Sequence, residues 1–96
     1  DMHVHFANAD YAPLFVANGV VGVRDMHAHL PFMLMPLRKQ IAEGKKIGPK
    51  ILTAVSMVDG KPPMWSGTLV AGNAEEGRQA VQTLKTKGAD FVKVYS

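Results

Sequence analysis

Two imidazoles one residue apart open the chain, in Asp1-Met2-His3-Val4-His5-Phe6. In extended backbone, residues i and i+2 project to the same side, so His3 and His5 would converge on one point. Neutral imidazole is a preferred ligand of zinc, nickel and iron, and two on a rigid strand form half of a tetrahedral site. Near the other end a single lysine, Lys93, interrupts the apolar run Phe91-Val92-Lys93-Val94-Tyr95. The pair alone also fits two packed or surface histidines, and a strand lysine also fits an exposed edge protected against pairing. What matters is whether the intervening elements can bring residues 3, 5 and 93 to one place.

Those elements alternate. Met2–Phe6 reads as the end of a strand. Tyr11, Leu14, Phe15 and Asn18 fall on one helical face, with Asn8 or Asp10 to cap it, Pro13 tolerable in its first turn and Gly19 to stop it. Val20–Arg24 is a short β-branched strand. Leu34, Leu37 and Ile41 mark a second helix, with Pro36 near its start and Gly44 after its end. Ile51–Val58 is a third strand. Asn73 precedes Glu75 and Glu76, well placed for a helix N-terminus, and Ala80, Val81 and Leu84 give that helix its core face before Gly88. Phe91–Tyr95 is the fourth strand. The order βαβαβαβ, with nearly continuous apolar strands, predicts an α/β fold on a parallel sheet. A small open sheet and the first half of a (β/α)8 barrel share this local pattern. A start within a strand and a stop just beyond another favour the truncated barrel, with residues 1–96 as a single partial domain.

Composition narrows the chemistry. An apolar fraction of 47% with 20% charged residues is that of an ordinary globular chain. Eleven basic against eight acidic residues leave a net charge of +3, too small to argue for nucleic acid. The excess lies in Arg38, Lys39, Lys45, Lys46 and Lys50, around a helix end where cations are favoured anyway, and no aromatic platform accompanies it. With no cysteine, neither disulfides nor thiolate ligands are available, so a metal must be held by His, carboxylate or a modified lysine. No apolar run approaches the ~20 residues of a membrane span. No signal peptide is recognisable, and a cytoplasmic location is the expectation if none preceded Asp1.

Taken in order, Asp1-Met2-His3-Val4-His5, Ala17-Asn18-Gly19-Val20-Val21-Gly22-Val23-Arg24-Asp25-Met26, Ile41-Ala42-Glu43-Gly44-Lys45, Gly48-Pro49-Lys50-Ile51-Leu52 and Gly88-Ala89-Asp90-Phe91-Val92-Lys93-Val94-Tyr95 resemble the amidohydrolase superfamily. Within it the resemblance is to the imidazolonepropionase-like branch that includes Xaa-Pro dipeptidases, and it spans essentially the whole chain. It implies a metal-dependent hydrolase on a distorted (β/α)8 barrel, in which the His-x-His of the first strand binds metal. That pair maps onto His3 and His5. A fourth-strand lysine, often carboxylated between two metals, maps onto Lys93. One or two divalent ions, zinc foremost, would activate water against a C–N bond of a cyclic amide or dipeptide. The family completes its site with two histidines and an aspartate from later strands. Asp1, Asp25 and Asp59 lie on the wrong strands for that aspartate, so no complete catalytic set is expected here.

Lys93 shares a strand face with Phe91 and Tyr95, and turning Val92 and Val94 toward the helices would point it at the barrel interior. A second Asp-Met-His-x-His, Asp25 to His29, matches no ligand motif of the family. It reads either as a loop with two solvated histidines or as a mouth at which His27 or His29 touches substrate. Trp65, within the Gly- and Pro-rich segment 59–72, is either a wall of the substrate pocket or a latch closing the loop. The enzymatic expectation is therefore a parent amidohydrolase of which the isolated chain is inactive. The alternative is a catalytically inactive half-barrel that binds at most a metal. In either case the interior positions Val55, Met57, Phe91 and Tyr95 would lie bare and drive formation of a homo-oligomer.

Overall fold

A computed structural model describes residues 1–29 and 31–95. Among the described residues there are three helices, α1 (Tyr11–Ala17), α2 (Pro31–Ala42) and α3 (Ala74–Thr86), and four short strands, one between α1 and α2 and three between α2 and α3. These are β1 (Gly22–Asp25), β2 (Lys50–Thr53), β3 (Val58–Asp59) and β4 (Leu69–Val70). All pairing is parallel: β1 with β2, from Gly22 opposite Lys50 to Asp25 opposite Thr53, and β3 with β4. The fold is α/β with short parallel sheets.

Two of the four expected strands do not form as strands. The segment around Val4 pairs with Asp25 through one bridge, and Val94 pairs with Val58 through another. Among the described residues each has a bonding neighbour on one side only, which shortens a regular ladder. Their hydrogen bonds nevertheless keep the expected order. Val4 N–H donates to Arg24 O (3.0 Å), Asp90 N–H to Thr53 O (2.8 Å) and Val58 N–H to Lys93 O (2.8 Å). Four parallel segments therefore stand side by side in chain order.

The expected third strand, 51–58, breaks in two. Val55 has φ +63°, a left-handed conformation that a β-branched side chain rarely adopts. The bend separates β2 from β3, and β3 takes as its partner β4, within the Gly- and Pro-rich segment 59–72 whose composition predicts a loop. The second strand begins two residues later than expected, at Gly22, and the second helix five residues before Pro36. Pro31 occupies its first position, where a fixed φ is an advantage, and Pro36 lies inside it. Helix ends follow the sequence more closely. The Asn73 side chain accepts Glu76 N–H (2.8 Å) and Glu76 reaches back to Gly72 N–H, a reciprocal cap. Asp10 stands at the N-cap of α1 without a side-chain bond, while Asn8 accepts Asp10 N–H.

The core lies in two clusters. Val4, Phe6, Val23 and Ile51 pack beneath Ala12 of α1 and Leu34 and Leu37 of α2, while Val55 and Val58 pack beneath Ala80 and Leu84 of α3. Val81, expected in the core, is exposed, as are Tyr11 and Leu14 of α1. A helix of two turns at the margin buries only Ala12 and half of Phe15. Val55 and Met57, expected bare on the interior face, are buried, because the bend at Val55 turns its side chain under α3; Tyr95 remains exposed.

Gly48 sits where α1 and α2 close on the strand that follows. A Cβ there would lie 2.5 Å from Ile41 Cδ1 and 2.9 Å from Ala12 Cβ. Ile41 can give way, but Ala12 is the buried contact of its helix. Gly48→Ala is therefore expected to destabilise the fold by about 1–3 kcal/mol through overpacking. Urea unfolding checks this, and an unchanged midpoint would mean that α1 is not held as described.

Candidate metal centre

Alternation along residues 3–6 does most of the positioning. Val4 and Phe6 are drawn into the core, so His3 and His5 are left on the opposite side, facing a cavity of about 180 Å³. The cavity opens where the parallel segments end. Its lining holds every residue singled out in the sequence: His3, His5, His27, His29, Trp65 and Lys93, together with Met57 and Tyr95. Lys93 is half-buried there, beside Tyr95 as its strand register required.

His3 Nε2 and His5 Nε2 lie 3.2 Å apart. Two nitrogens bound at 2.0–2.1 Å to a tetrahedral zinc would be separated by about 3.3 Å, so the pair has the spacing of a half-formed site. Its protonation follows from its partners. His5 Nδ1 is 3.1 Å from His27 O, which can only accept, so His5 carries its proton on Nδ1 and presents a bare Nε2. His3 Nε2–H then donates to it, and a cation would take the place of that proton. Among the described residues no three His, Asp or Glu side chains converge. Two imidazoles do, with Lys93 on the same cavity.

His27 is the opposite case. It is buried, and its Nδ1 must accept from Met57 N–H (3.2 Å), because a backbone amide only donates. Nε2 must therefore be protonated and donate to Ser66 O (3.1 Å). Both nitrogens are engaged, so the solvated reading of His27 fails, and so does any polar contact from its ring to a substrate. His29 is exposed, with its ring centroid 5.9 Å from that of His5. It keeps both of the readings the sequence left open.

The sequence reading passed over Asp25 except to exclude it as a catalytic aspartate. Asp25 is fully buried. Its Oδ1 accepts Phe6 N–H (3.0 Å) and its Oδ2 accepts the Thr53 hydroxyl (2.9 Å). Thr53 Oγ1 in turn accepts Val55 N–H (2.8 Å), and Val55 O accepts Ala28 N–H (3.0 Å). The available signal is an acid two residues after Val23, on the same side of the strand as that buried valine. Burial pushes the Asp25 carboxyl above its usual range, opposed by the bonds from Phe6 and Thr53 and by the nearby imidazoles of His5 and His27.

Parallel segments that gather ligand-type side chains in one cavity at their ends have the arrangement in which α/β folds place binding sites. No family model matches the chain. No curated protein matches it either. Among solved structures it is similar to A. niger ochratoxinase, with TM-score 0.75 and 17% identity over 98% of this chain and 32% of that one. It is also similar to a provisionally assigned prolidase from Bifidobacterium longum, with TM-score 0.72 and 24% identity over 97% of this chain and 24% of that one. The chain has the fold of a segment of each of these two proteins. It spans about a third and a quarter of their lengths.

Two outcomes follow from the Asp25 network. An acid whose folded pKa is raised contributes stability that is present below the unfolded value, near 3.9, and lost as pH rises through the folded value. Asp25→Asn removes that dependence. The stability of the wild type relative to Asp25→Asn should therefore fall as pH rises above about 4 and then level off. A difference that does not vary with pH, measured by urea midpoints, would show Asp25 to be unshifted. Thr53→Val keeps the volume but leaves Asp25 Oδ2 and Val55 N–H without partners, and should cost about 1–3 kcal/mol for each such group.

Proposed function

We propose that the chain forms strands one to four of a (β/α)8 amidohydrolase barrel, and that it contributes His3, His5 and Lys93 to a centre for one or two divalent cations, zinc foremost. The parent protein would hydrolyse a C–N bond of a cyclic amide or dipeptide. The observation that carries this reading is the 3.2 Å approach of two Nε2 atoms, one of them held bare by a backbone carbonyl. The lengths of the two structural neighbours and the parallel order of the four segments support it.

The residues present suit a zinc-type ion better than calcium or magnesium, because imidazole is a borderline donor and, among the described residues, no carboxylate lines the cavity. A cation held there would polarise an amide carbonyl and lower the pKa of a water at neutral pH. The chain's own residues do the rest. His5 holds its ligating tautomer through His27 O, Asp25 pins the backbone at Phe6 beside it, and Trp65 and Tyr95 give the cavity apolar walls for the non-reacting part of a substrate. Lys93 would serve as an oxygen donor once its amine has combined with carbon dioxide to a carbamate.

Zinc titration tests the assignment. His3→Ala and His5→Ala should each weaken binding at least as much as loss of an outer-shell partner does, about 10–100-fold, whereas His29→Ala should change it little. Equal affinity in the wild type and the His3→Ala/His5→Ala double variant would refute the centre. With no carboxylate among the described residues of the cavity to handle the proton of an attacking water, residues 1–96 alone should not hydrolyse a dipeptide when zinc is supplied. Chelator-sensitive turnover, in a preparation free of host hydrolases, would overturn that.

A further inference from the structure

His27 stands against the candidate metal pair but is not free to join it, and the bonds that occupy it reach three separate places. Its backbone carbonyl accepts from His5 Nδ1. Its Nδ1 accepts from Met57 N–H, just before β3. Its Nε2–H donates to Ser66 O, next to Trp65 in the connection between β3 and β4. The base of that connection is closed by the β3–β4 ladder, with Leu69 N–H bonded to Met57 O (2.9 Å) and Ala71 N–H to Asp59 O (2.8 Å). Its outer limb meets α3 through the exposed Lys61 and the half-buried Glu76, 3.9 Å apart, a contact of little energetic weight.

The turn is shaped for the ring. Gly67 has φ +79°, in the left-handed region, and a Cβ there would lie 3.7 Å from His27 Cε1. The backbone thus turns immediately after Ser66, with the imidazole packed beneath it. A side chain that is 2% exposed and has one nitrogen bonded to the backbone just before β3 and the other to the backbone of the loop that follows it is a tether.

We propose that His27 is a positioning residue: its ring holds the 60–68 connection, with Trp65, against the cavity, while its carbonyl presents His5 in the ligating tautomer. The loop part stands on geometry alone. The part concerning His5 rests on the metal reading above. His27 therefore acts on Trp65 and His5 through bonds it makes to the backbone and to an imidazole, and does not itself touch a ligand.

Trp65 is the only tryptophan in the chain, so its fluorescence reports the loop directly. Asn at position 27 keeps an acceptor near the place of Nδ1 but cannot reach Ser66. Gln can carry an N–H to the place of Nε2. His27→Asn should raise acrylamide quenching of Trp65 by up to about twofold, through local opening of a loop whose tryptophan is already half exposed, and His27→Gln should stay near the wild type. Imidazole nitrogen NMR of the unmodified chain supplies a readout that no variant's folding can spoil. In the unprotonated rings it should find the single proton of His27 on Nε2 and that of His5 on Nδ1. A proton on His27 Nδ1, or quenching of Trp65 unchanged in a folded His27→Asn chain, would overturn the proposal. Equal zinc affinity in the wild type and the His3→Ala/His5→Ala variant, with the expected tautomers and quenching, would instead remove the metal reading and leave the loop tether standing.

Discussion

The mouth of the cavity depends on a carboxylate that water does not reach. Asp25 binds the backbone beside His5 with one oxygen and the Thr53 hydroxyl with the other. Thr53 passes the constraint to Val55, Val55 to Ala28, and the carbonyl of the preceding His27 returns it to the His5 ring. The circuit closes on the segment where it began. It links the ends of three parallel segments that otherwise share only short ladders. An unpaired buried carboxylate would be costly, so the bonds around Asp25 are obligatory, and their geometry is what the neighbouring backbone must satisfy. The left-handed conformation at Val55 belongs to the same account. Such a residue costs on the order of 1–3 kcal/mol, and it persists where surrounding bonds over-determine it. Here they do so from both of its backbone polar groups.

Four histidines line one cavity, and hydrogen bonding gives them different capacities. His5 is held with a bare Nε2, His3 donates to it, His27 is saturated, and His29 is open to solvent. The difference is not in the residue type. It comes from whether each ring nitrogen meets a backbone donor, a backbone acceptor or another imidazole.

The outer segments show how little regular strand such an arrangement needs. Residues 2–6 and 91–95 each make a single bridge, yet they deliver His3, His5 and Lys93 to the cavity. Their inner neighbours fix the pleat, and the pleat decides the side on which a residue emerges. The bidentate Arg38–Asp90 pair, at 2.8 and 3.0 Å, adds a second anchor. Asp90 also accepts Thr53 N–H, so α2, β2 and the last segment are tied at one point below Lys93.

By itself the sequence determined the alternation of helices with extended segments, their parallel order, and the residues that would meet. Local rules sufficed for these. Period-two alternation puts His3 and His5 opposite Val4 and Phe6. Gly19, Gly44 and Gly88 supply the left-handed turns after three helices, and Asn73 caps the third. Only the tertiary structure decided what each cavity residue can do. Asp25 looked like a misplaced acid because its partners, Phe6 and Thr53, lie 19 and 28 residues away. His27 looked like a loop residue because Ser66 lies 39 residues further on. The split of the third strand at Val55 and its pairing with residues 69–70 were likewise hidden, since nothing local marks a valine for φ +63°. A periodic pattern records which side of the backbone a residue faces. A tautomer, a buried charge or a strained turn depends on partners distant in the chain, and no spacing in the sequence records them.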